Sequence, residues 1–157
     1  MTTIAQSFTS SASFTINSTS WTQATVITTD AIDVSGITAI PVDIWITVAV
    51  TFPNSTIGAQ SAVNIYVSAS EDGTNYDDND QYSGSNNTQT SLRTPVNYKG
   101  PVVLAATINK AEAITFSLRQ VCGLTLPRKF GLILENQCNQ TIATKSATYT
   151  SVTYTNT

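Results

Sequence analysis

The sequence predicts an all-β protein, an antiparallel β-sandwich of about eight strands in jelly-roll or immunoglobulin-like order. Several segments alternate between apolar and polar residues with a period of two, and no segment shows a sustained helical period. Charged residues make up only 11% of the chain, so threonine, serine and asparagine form most of its polar surface. Threonine suits the solvent face of a strand because its β-branched carbon fits the pleated surface. The length of 157 residues suits one domain with a hydrophobic core.

Two segments alternate clearly enough to predict which face of each strand is buried. Residues 44–52 place Ile44, Ile46, Val48, Val50 and Phe52 on one face, with Trp45, Thr47, Ala49 and Thr51 opposite. Residues 62–70 place Val63, Ile65, Val67 and Ala69 inward, with Asn64, Tyr66, Ser68 and Ser70 outward. The connection between them, residues 53–58, contains turn-forming residues, which predicts that the two strands form a hairpin.

The remaining sequence divides into further strands and two polar segments. Strands are predicted at residues 13–16, 21–28, 102–108, 114–118, 130–135 and 148–154. Residues 1–11 are polar and unpatterned, which predicts a flexible N-terminal arm before a single domain at 12–157. Residues 71–98 are predicted to form a long polar loop without a strand. Loops of this length are usually functional or disordered, so this loop is the first candidate for a contact surface.

Charge is distributed unevenly along the chain. No lysine or arginine precedes Arg93, whereas eight acidic residues do, and seven basic residues with two acidic ones follow. This pattern argues against a nucleic-acid partner, because phosphate binding requires a basic patch with aromatic residues nearby. Two interpretations remain open: the two halves interleave within one sandwich and neutralise each other, or copies of the chain contact head to tail.

The start of the chain lacks a basic region followed by an apolar run, and nothing directs the chain to a membrane. If the residues around Leu126 and Pro127 turn a hairpin, Cys122 lies near the turn and Cys138 at its open end. The distance between them would then exceed the reach of a disulfide. Both cysteines are therefore predicted to be free thiols in a reducing compartment.

The sequence predicts no enzyme, because the chain has no histidine for acid–base chemistry or nucleophilic triads. No cofactor-binding motif is present, so no cofactor is expected. The acidic residues Asp72, Asp77, Asp78 and Asp80 raise two alternatives, a carboxylate hydrolase and a calcium site. Their spacing does not fit an EF-hand, and acids among asparagine, glycine and serine are more often solvated turns. We therefore predict no catalytic residue and no metal site.

Aromatic residues in and beside the long polar loop are the candidate partner contacts. Aromatic side chains supply contact area at low entropic cost, and acidic neighbours add hydrogen-bond acceptors. The predicted contact residues are Tyr76, Asp77, Asp78, Tyr82 and Tyr98.

Several segments resemble one class of small virus proteins. They are residues 63–73, Ile114 to Leu118, the Pro-basic-aromatic-Gly entry into a strand at Leu126 to Asn136, and Tyr149 to Tyr154. Together they resemble the head decoration, or cement, proteins of tailed bacteriophages. The resemblance covers the chain from Val63 onward. It implies a β-sandwich subunit, commonly a homotrimer, that binds the major capsid protein and stabilises the shell against internal DNA pressure.

The function expected from this resemblance is that of a structural virion protein on the capsid exterior, made in the host cytoplasm. Three alternatives remain. The first is a receptor- or carbohydrate-binding module of a phage tail or fibre, in which Tyr76, Tyr82 and the nearby aspartates line a sugar site. The second is a hydrolase that uses the loop carboxylates. The third is a tail-tube or connector subunit.

Overall fold

A computed structural model of the chain describes residues 4–16, 20–37, 41–54, 57–58, 61–77, 82–89 and 98–156. In these ranges the chain forms eleven strands, a short α-helix and a 3-10 helix at Val34–Gly36. The helix α1 is Leu118–Val121, and Ser117 caps it by accepting a hydrogen bond from the Gln120 N–H. The strands are β1 (Ile4–Phe8), β2 (Ala12–Ser13), β3 (Val26–Thr28), β4 (Ile32–Asp33), β5 (Asp43–Thr51), β6 (Ala62–Ser70), β7 (Thr88–Gln89), β8 (Lys99–Ala105), β9 (Ala111–Ser117), β10 (Lys129–Asn136) and β11 (Thr144–Asn156).

The strands form two antiparallel sheets that pack against each other. The first sheet has the order β1-β11-β5-β9, with β2 also beside β11, and the second has the order β7-β3-β10-β6-β8, with β4 also beside β10. The strands longer than two residues are β1, β3, β5, β6, β8, β9, β10 and β11. Numbered along the chain, they are ordered 1-8-3-6 in one sheet and 2-7-4-5 in the other, which is the jelly-roll arrangement. The predicted all-β sandwich is confirmed, and the strand order selects a jelly roll over an immunoglobulin-like sandwich.

The core lies between the two sheets and follows the predicted alternation. Ile44, Ile46 and Val48 of β5 are fully buried, and so are Val63 and Ile65 of β6. Burial of each such side chain stabilises the fold by about 1.5–3 kcal/mol relative to exposure. The predicted inward faces of both strands are therefore confirmed.

The predicted hairpin between these two strands is wrong. β5 pairs with β11 and β9 in the first sheet, whereas β6 pairs with β10 and β8 in the second. The connection therefore crosses from one sheet to the other. Alternation indicates which face of a strand meets the core, but strands of both sheets meet the same core, so the pattern does not identify the neighbouring strand.

The predicted flexible arm at residues 1–11 is corrected by the structure. Residues 4–8 form β1, which pairs antiparallel with β11 from Ile4 opposite Asn156 to Phe8 opposite Val152. Residues 1–3 lie outside the described part of the chain. Hydrogen bonds to the backbone of β11, rather than a buried face, hold β1 in place. Its sequence therefore lacks the alternation of apolar and polar residues from which a strand is predicted.

Strands from the acidic and basic parts of the chain alternate in the sheets. β5 lies between β11 and β9, and β6 lies between β10 and β8. A salt bridge joins the two parts where Lys129 Nζ lies 3.8 Å from Asp33 Oδ2. This arrangement agrees with the interpretation that the two halves interleave within one sandwich. Within the described ranges, none of the helices is both long and apolar enough to cross a membrane.

Candidate functional site

The loop tyrosines cover the outer face of the second sheet. Tyr82 and Tyr98 are only 1% and 7% exposed, and together with Tyr66 they pack on Val26 and Ile133 as a small second core. Burial therefore removes Tyr82 and Tyr98 from the surface, and their predicted role as partner contacts is wrong for this conformation. The loop is also not free of strands, because β7 within it pairs with β3. Sequence reasoning missed this second core because it assumed that the outward face of β6 meets solvent.

Tyr82 packs against Gly131, a residue of β10 in the second sheet. Its hydroxyl donates a hydrogen bond to the Thr29 carbonyl oxygen over 2.9 Å. Burial raises the pKa of Tyr82 far above its usual range, so the hydroxyl stays protonated and remains a donor. A Cβ atom added at Gly131 would overlap both this hydroxyl and the ring carbon that bears it. The absence of a side chain at Gly131 leaves the space that the Tyr82 hydroxyl and ring occupy.

Tyr76 and Asp77 lie at the margin of this second core and are half-buried. The Tyr76 ring meets the Tyr82 ring edge-on, with centroids 4.9 Å apart. The Asp77 backbone N–H donates to the Ala69 carbonyl, and its carboxylate accepts from the Ala69 N–H over 3.2 Å. Asp77 thus attaches the start of the loop to β6, and Tyr76 packs on Tyr82, while the role of both as partner contacts stays a prediction. Asp78 lies outside the described residues, as does Asp80.

Asp72 forms a tight turn rather than an open carboxylate site. Its carboxylate accepts hydrogen bonds from the Thr74 and Asn75 N–H groups, the Asn75 side chain and the Ser70 hydroxyl. The hydrogen bonds from the Asn75 and Thr74 backbone hold the pKa of Asp72 well below its usual range. A general acid needs a raised pKa, and the oxygens that calcium would bind are already occupied by protein donors. In the described ranges no cluster of three or more potential metal-ligating side chains occurs.

The two cysteines are free thiols, as predicted, but the hairpin at Leu126 and Pro127 on which that prediction rested is wrong, because β9 and β10 lie in different sheets. Cys138 is fully buried in the main core, although the sequence around it is polar. Burial raises the pKa of Cys122 to about 11 and also raises the pKa of Cys138. A thiol is nucleophilic as the thiolate, so neither residue has the properties of a nucleophile at neutral pH.

A cleft of about 370 Å³ opens between the 3-10 helix and the connection that leads into β10. Its walls are mostly aliphatic or proline side chains, with Glu71 and Arg128 as its charged residues. The Arg128 guanidinium donates to the Asp72 carbonyl over 3.2 Å, which holds it against the neighbouring turn. Among the described residues, neither a second carboxylate nor a thiol lines the cleft with Glu71. The lining residues are Val34, Ser35, Ile37, Pro41, Glu71, Leu126, Pro127 and Arg128.

The outer face of the first sheet is lined mostly by uncharged residues where β11, β5 and β9 lie side by side, with Asp43 at one end of β5, where its carboxylate accepts a hydrogen bond from the Ser117 hydroxyl over 2.7 Å. The register places small and β-branched residues opposite each other around one tryptophan, Trp45, which is 43% exposed. The Thr47 and Thr115 hydroxyls lie 2.8 Å apart and form a hydrogen bond across two strands. We call this surface the threonine face. It comprises Trp45, Thr47, Ala49, Thr51, Ala111, Ala113, Thr115, Ser117, Thr144, Ser146, Thr148 and Thr150.

Three further exposed apolar side chains extend the threonine face toward β1. Ile4, Phe8 and Tyr154 are 69%, 60% and 60% exposed. Phe8 lies opposite Val152, so it shares a face with Val152, with Tyr154 two residues farther along β11, and with Ile4. Interfaces are enriched in aromatic residues and depleted of charge, serine and alanine, so the aromatic residues Trp45, Phe8 and Tyr154 are the part of this surface that suits a protein contact. Trp45 was predicted to face outward but was not proposed as a contact, although a large aromatic residue on a solvent-facing strand position is a signal for one.

Fold and surface together define the class of the protein: a jelly-roll β-sandwich with a threonine-rich outer sheet face that exposes Trp45. The sequence matches no protein-family profile and no curated protein sequence. The class therefore rests on the architecture itself.

Proposed function

We propose that this chain is a structural virion protein that decorates and stabilises the outside of a bacteriophage capsid. The threonine face carries the proposal, because a broad sheet surface with little charge and no cavity among the described residues suits docking onto a protein lattice better than binding of a small substrate. In this proposal the partners are the major capsid protein and further copies of the chain. The resemblance of residues 63–154 to head decoration proteins implies that these copies form a homotrimer.

Two structural features support this proposal. The jelly roll is an architecture found in viral capsid proteins, although it also occurs in lectins and enzymes, so the fold alone assigns no function. The second sheet is partly covered by the chain's own tyrosines, whereas the first sheet keeps a broad exposed face. A subunit that binds a lattice through one sheet and is partly covered by its own tyrosines on the other would have this asymmetry.

The abundance of the chain in purified virus particles tests the proposal. We expect about one copy per capsid subunit, or a simple fraction of that number, measured by quantitative mass spectrometry against the major capsid protein. A handful of copies per particle would instead indicate a tail or fibre protein. Absence from the particles would overturn the proposal altogether.

The substitution Trp45→Lys should weaken binding to capsids that lack this chain by at least about tenfold, because buried aromatic residues dominate interface energies. Cosedimentation of purified variants with such capsids measures the effect. Val103→Lys is the matched control, since Val103 is 50% exposed on β8 in the opposite sheet. Equal binding by the two variants, with unchanged melting temperatures, would contradict docking through the threonine face.

The carbohydrate-binding alternative is favoured by one observation, the exposed Trp45 ring near the Thr47 and Thr115 hydroxyls. Sugars stack on aromatic rings and accept hydrogen bonds from neighbouring polar groups. The previously predicted sugar site is less suitable, because Tyr82 is buried in the second core. A glycan array with and without calcium tests the alternative, and binding that Trp45→Ala abolishes would support it over capsid decoration.

A further inference from the structure

The described residues leave four strand edges open at the sides of the two sheets, and three of them carry features that prevent pairing with another chain. β8 contains Lys99 and Pro101 and has an irregular register with β6. β9 carries Glu112 directly opposite the core residue Val50, so that its charge faces inward. β7 and β4 share the third protected edge, and each is only two residues long. Short strands, lysine, proline, irregular pairing and inward charges are the usual protections of edge strands.

The fourth edge, β1, has none of these features. It is five residues long, Ile4-Ala-Gln-Ser-Phe8, with regular pairing to β11 and no charge or proline. Ile4 and Phe8 are also among the most exposed large apolar side chains of the described chain. A regular, apolar and uncharged edge strand is a template for pairing with a further strand.

The backbone of β1 presents its free hydrogen-bonding groups in a defined pattern. The Thr9 N–H donates to the Ser151 carbonyl. Ser7 and Ala5 alternate with Thr9 along the strand, so their backbone N–H and C=O groups also point toward β11. The Val152 carbonyl, opposite Phe8, instead accepts from the Val42 N–H on the other side of β11. The N–H and C=O groups of Ile4, Gln6 and Phe8 therefore point away from β11, toward the open side of the sheet.

The order of side chains in β1 is self-complementary. Read in either direction, the strand runs apolar, small, polar, small, apolar, with Gln6 at its centre. In an antiparallel pair of two copies centred on Gln6, each Ile4 would lie opposite Phe8 of the second copy. Cross-strand aliphatic–aromatic pairs stabilise antiparallel sheets, and Gln6 would lie opposite Gln6 of the second copy without a like-charge contact. Such a pair would form about six backbone hydrogen bonds.

We infer that β1 pairs with β1 of a second copy of this chain, about a two-fold axis at Gln6, and joins the first sheets of both copies into one continuous sheet. Ile4, Phe8 and Tyr154 expose on the order of 400 Å² of side-chain surface per copy beside this edge. A standard interface buries about 800 Å² per partner. Even complete burial of these side chains would supply only about half of that area, so we expect a contact of moderate affinity in which the backbone hydrogen bonds are essential.

The test is the molar mass of the full chain in solution, from micromolar to about millimolar concentration, by sedimentation equilibrium. We expect a reversible dimer. Gln6→Lys and Gln6→Glu should each raise the dissociation constant at least about tenfold, because like charges would lie directly opposite across the axis. An equimolar mixture of the two variants should restore the dimer, since the opposed charges then attract.

Gln6→Thr is the control, since it retains the backbone groups without a charge and should leave the dimer intact. Two results would overturn the inference. One is a wild-type chain that stays a monomer at millimolar concentration, and the other is an oligomer, such as a trimer, whose molar mass neither charged variant changes. The measurement contains no capsid, so it is independent of the proposed function. A dimer would leave capsid decoration in place but would replace the homotrimer that the resemblance implies.

Discussion

Gly131→Ala should destabilise the protein by about 3 kcal/mol or more, even though it adds a single methyl group. The new Cβ would overlap the Tyr82 hydroxyl and ring, and the backbone on both sides belongs to the central strand β10. The Tyr82 ring would have to leave its site, which loses its burial and the hydrogen bond to Thr29. Loss of a buried aromatic side chain typically costs about 3–5 kcal/mol. Urea unfolding followed by tyrosine and tryptophan fluorescence measures the change.

Two controls make this result specific to the Tyr82 contact. In a Tyr82→Ala background the added methyl group has space, so Gly131→Ala should then cost less than about 1 kcal/mol. Gly36→Ala should have an effect of about 0.5 kcal/mol or less, since no atom lies within 4 Å of the added Cβ. An equal loss in both backgrounds would contradict the proposed packing of Tyr82 on β10.

Asn136→Ala should destabilise the protein by about 3–5 kcal/mol. The Asn136 side chain is fully buried and donates hydrogen bonds to the Trp21 and Gln140 carbonyls over 2.8 and 3.0 Å. Its oxygen accepts from the Cys138 N–H over 2.8 Å. Alanine would remove three hydrogen bonds, each worth about 0.5–1.5 kcal/mol, and would take this acceptor away from the buried Cys138 N–H, at a further cost of about 1–3 kcal/mol, whereas the Trp21 carbonyl would keep the Ile142 N–H as a donor. Thermal and urea unfolding provide the measurement.

Asn139→Ala is the matched control for this substitution. The Asn139 side-chain oxygen accepts an exposed hydrogen bond from the Gly58 N–H over 3.1 Å, so the loss of this bond should cost less than about 1 kcal/mol. Comparable losses for the two variants would show that Asn136 does not hold the three segments together.

Asn136 belongs to a segment whose sequence carried structural information besides its alternation of apolar and polar residues. The segment from Leu126 to Asn136, on which the resemblance to decoration proteins rests, contains both Gly131 and Asn136. In the structure Gly131 makes space for the loop tyrosine, and Asn136 ties the end of β10 to the segments at Trp21 and Gln140. These residues support the architecture, and their contacts within the chain give no information about what it binds.

The threonine face was only partly predictable. Alternation in β5 predicted that Trp45, Thr47 and Ala49 face outward, and the structure places them there. It gave no indication that β9 and β11 would lie beside β5 and extend this surface with alanine, serine and threonine. Neighbouring strands in this sheet are distant in sequence, so their side chains become one surface only when the sheet forms.

The sequence by itself determined the all-β class and the buried faces of β5 and β6, because these depend on composition and local periodicity. Tertiary structure decided which strands are neighbours, whether a polar segment pairs, and which outward residues stay exposed. β1 forms because β11 provides its hydrogen bonds, and Tyr82 is buried because Gly131 leaves space on a distant strand. Both outcomes depend on contacts between residues far apart in the chain, which no local pattern encodes.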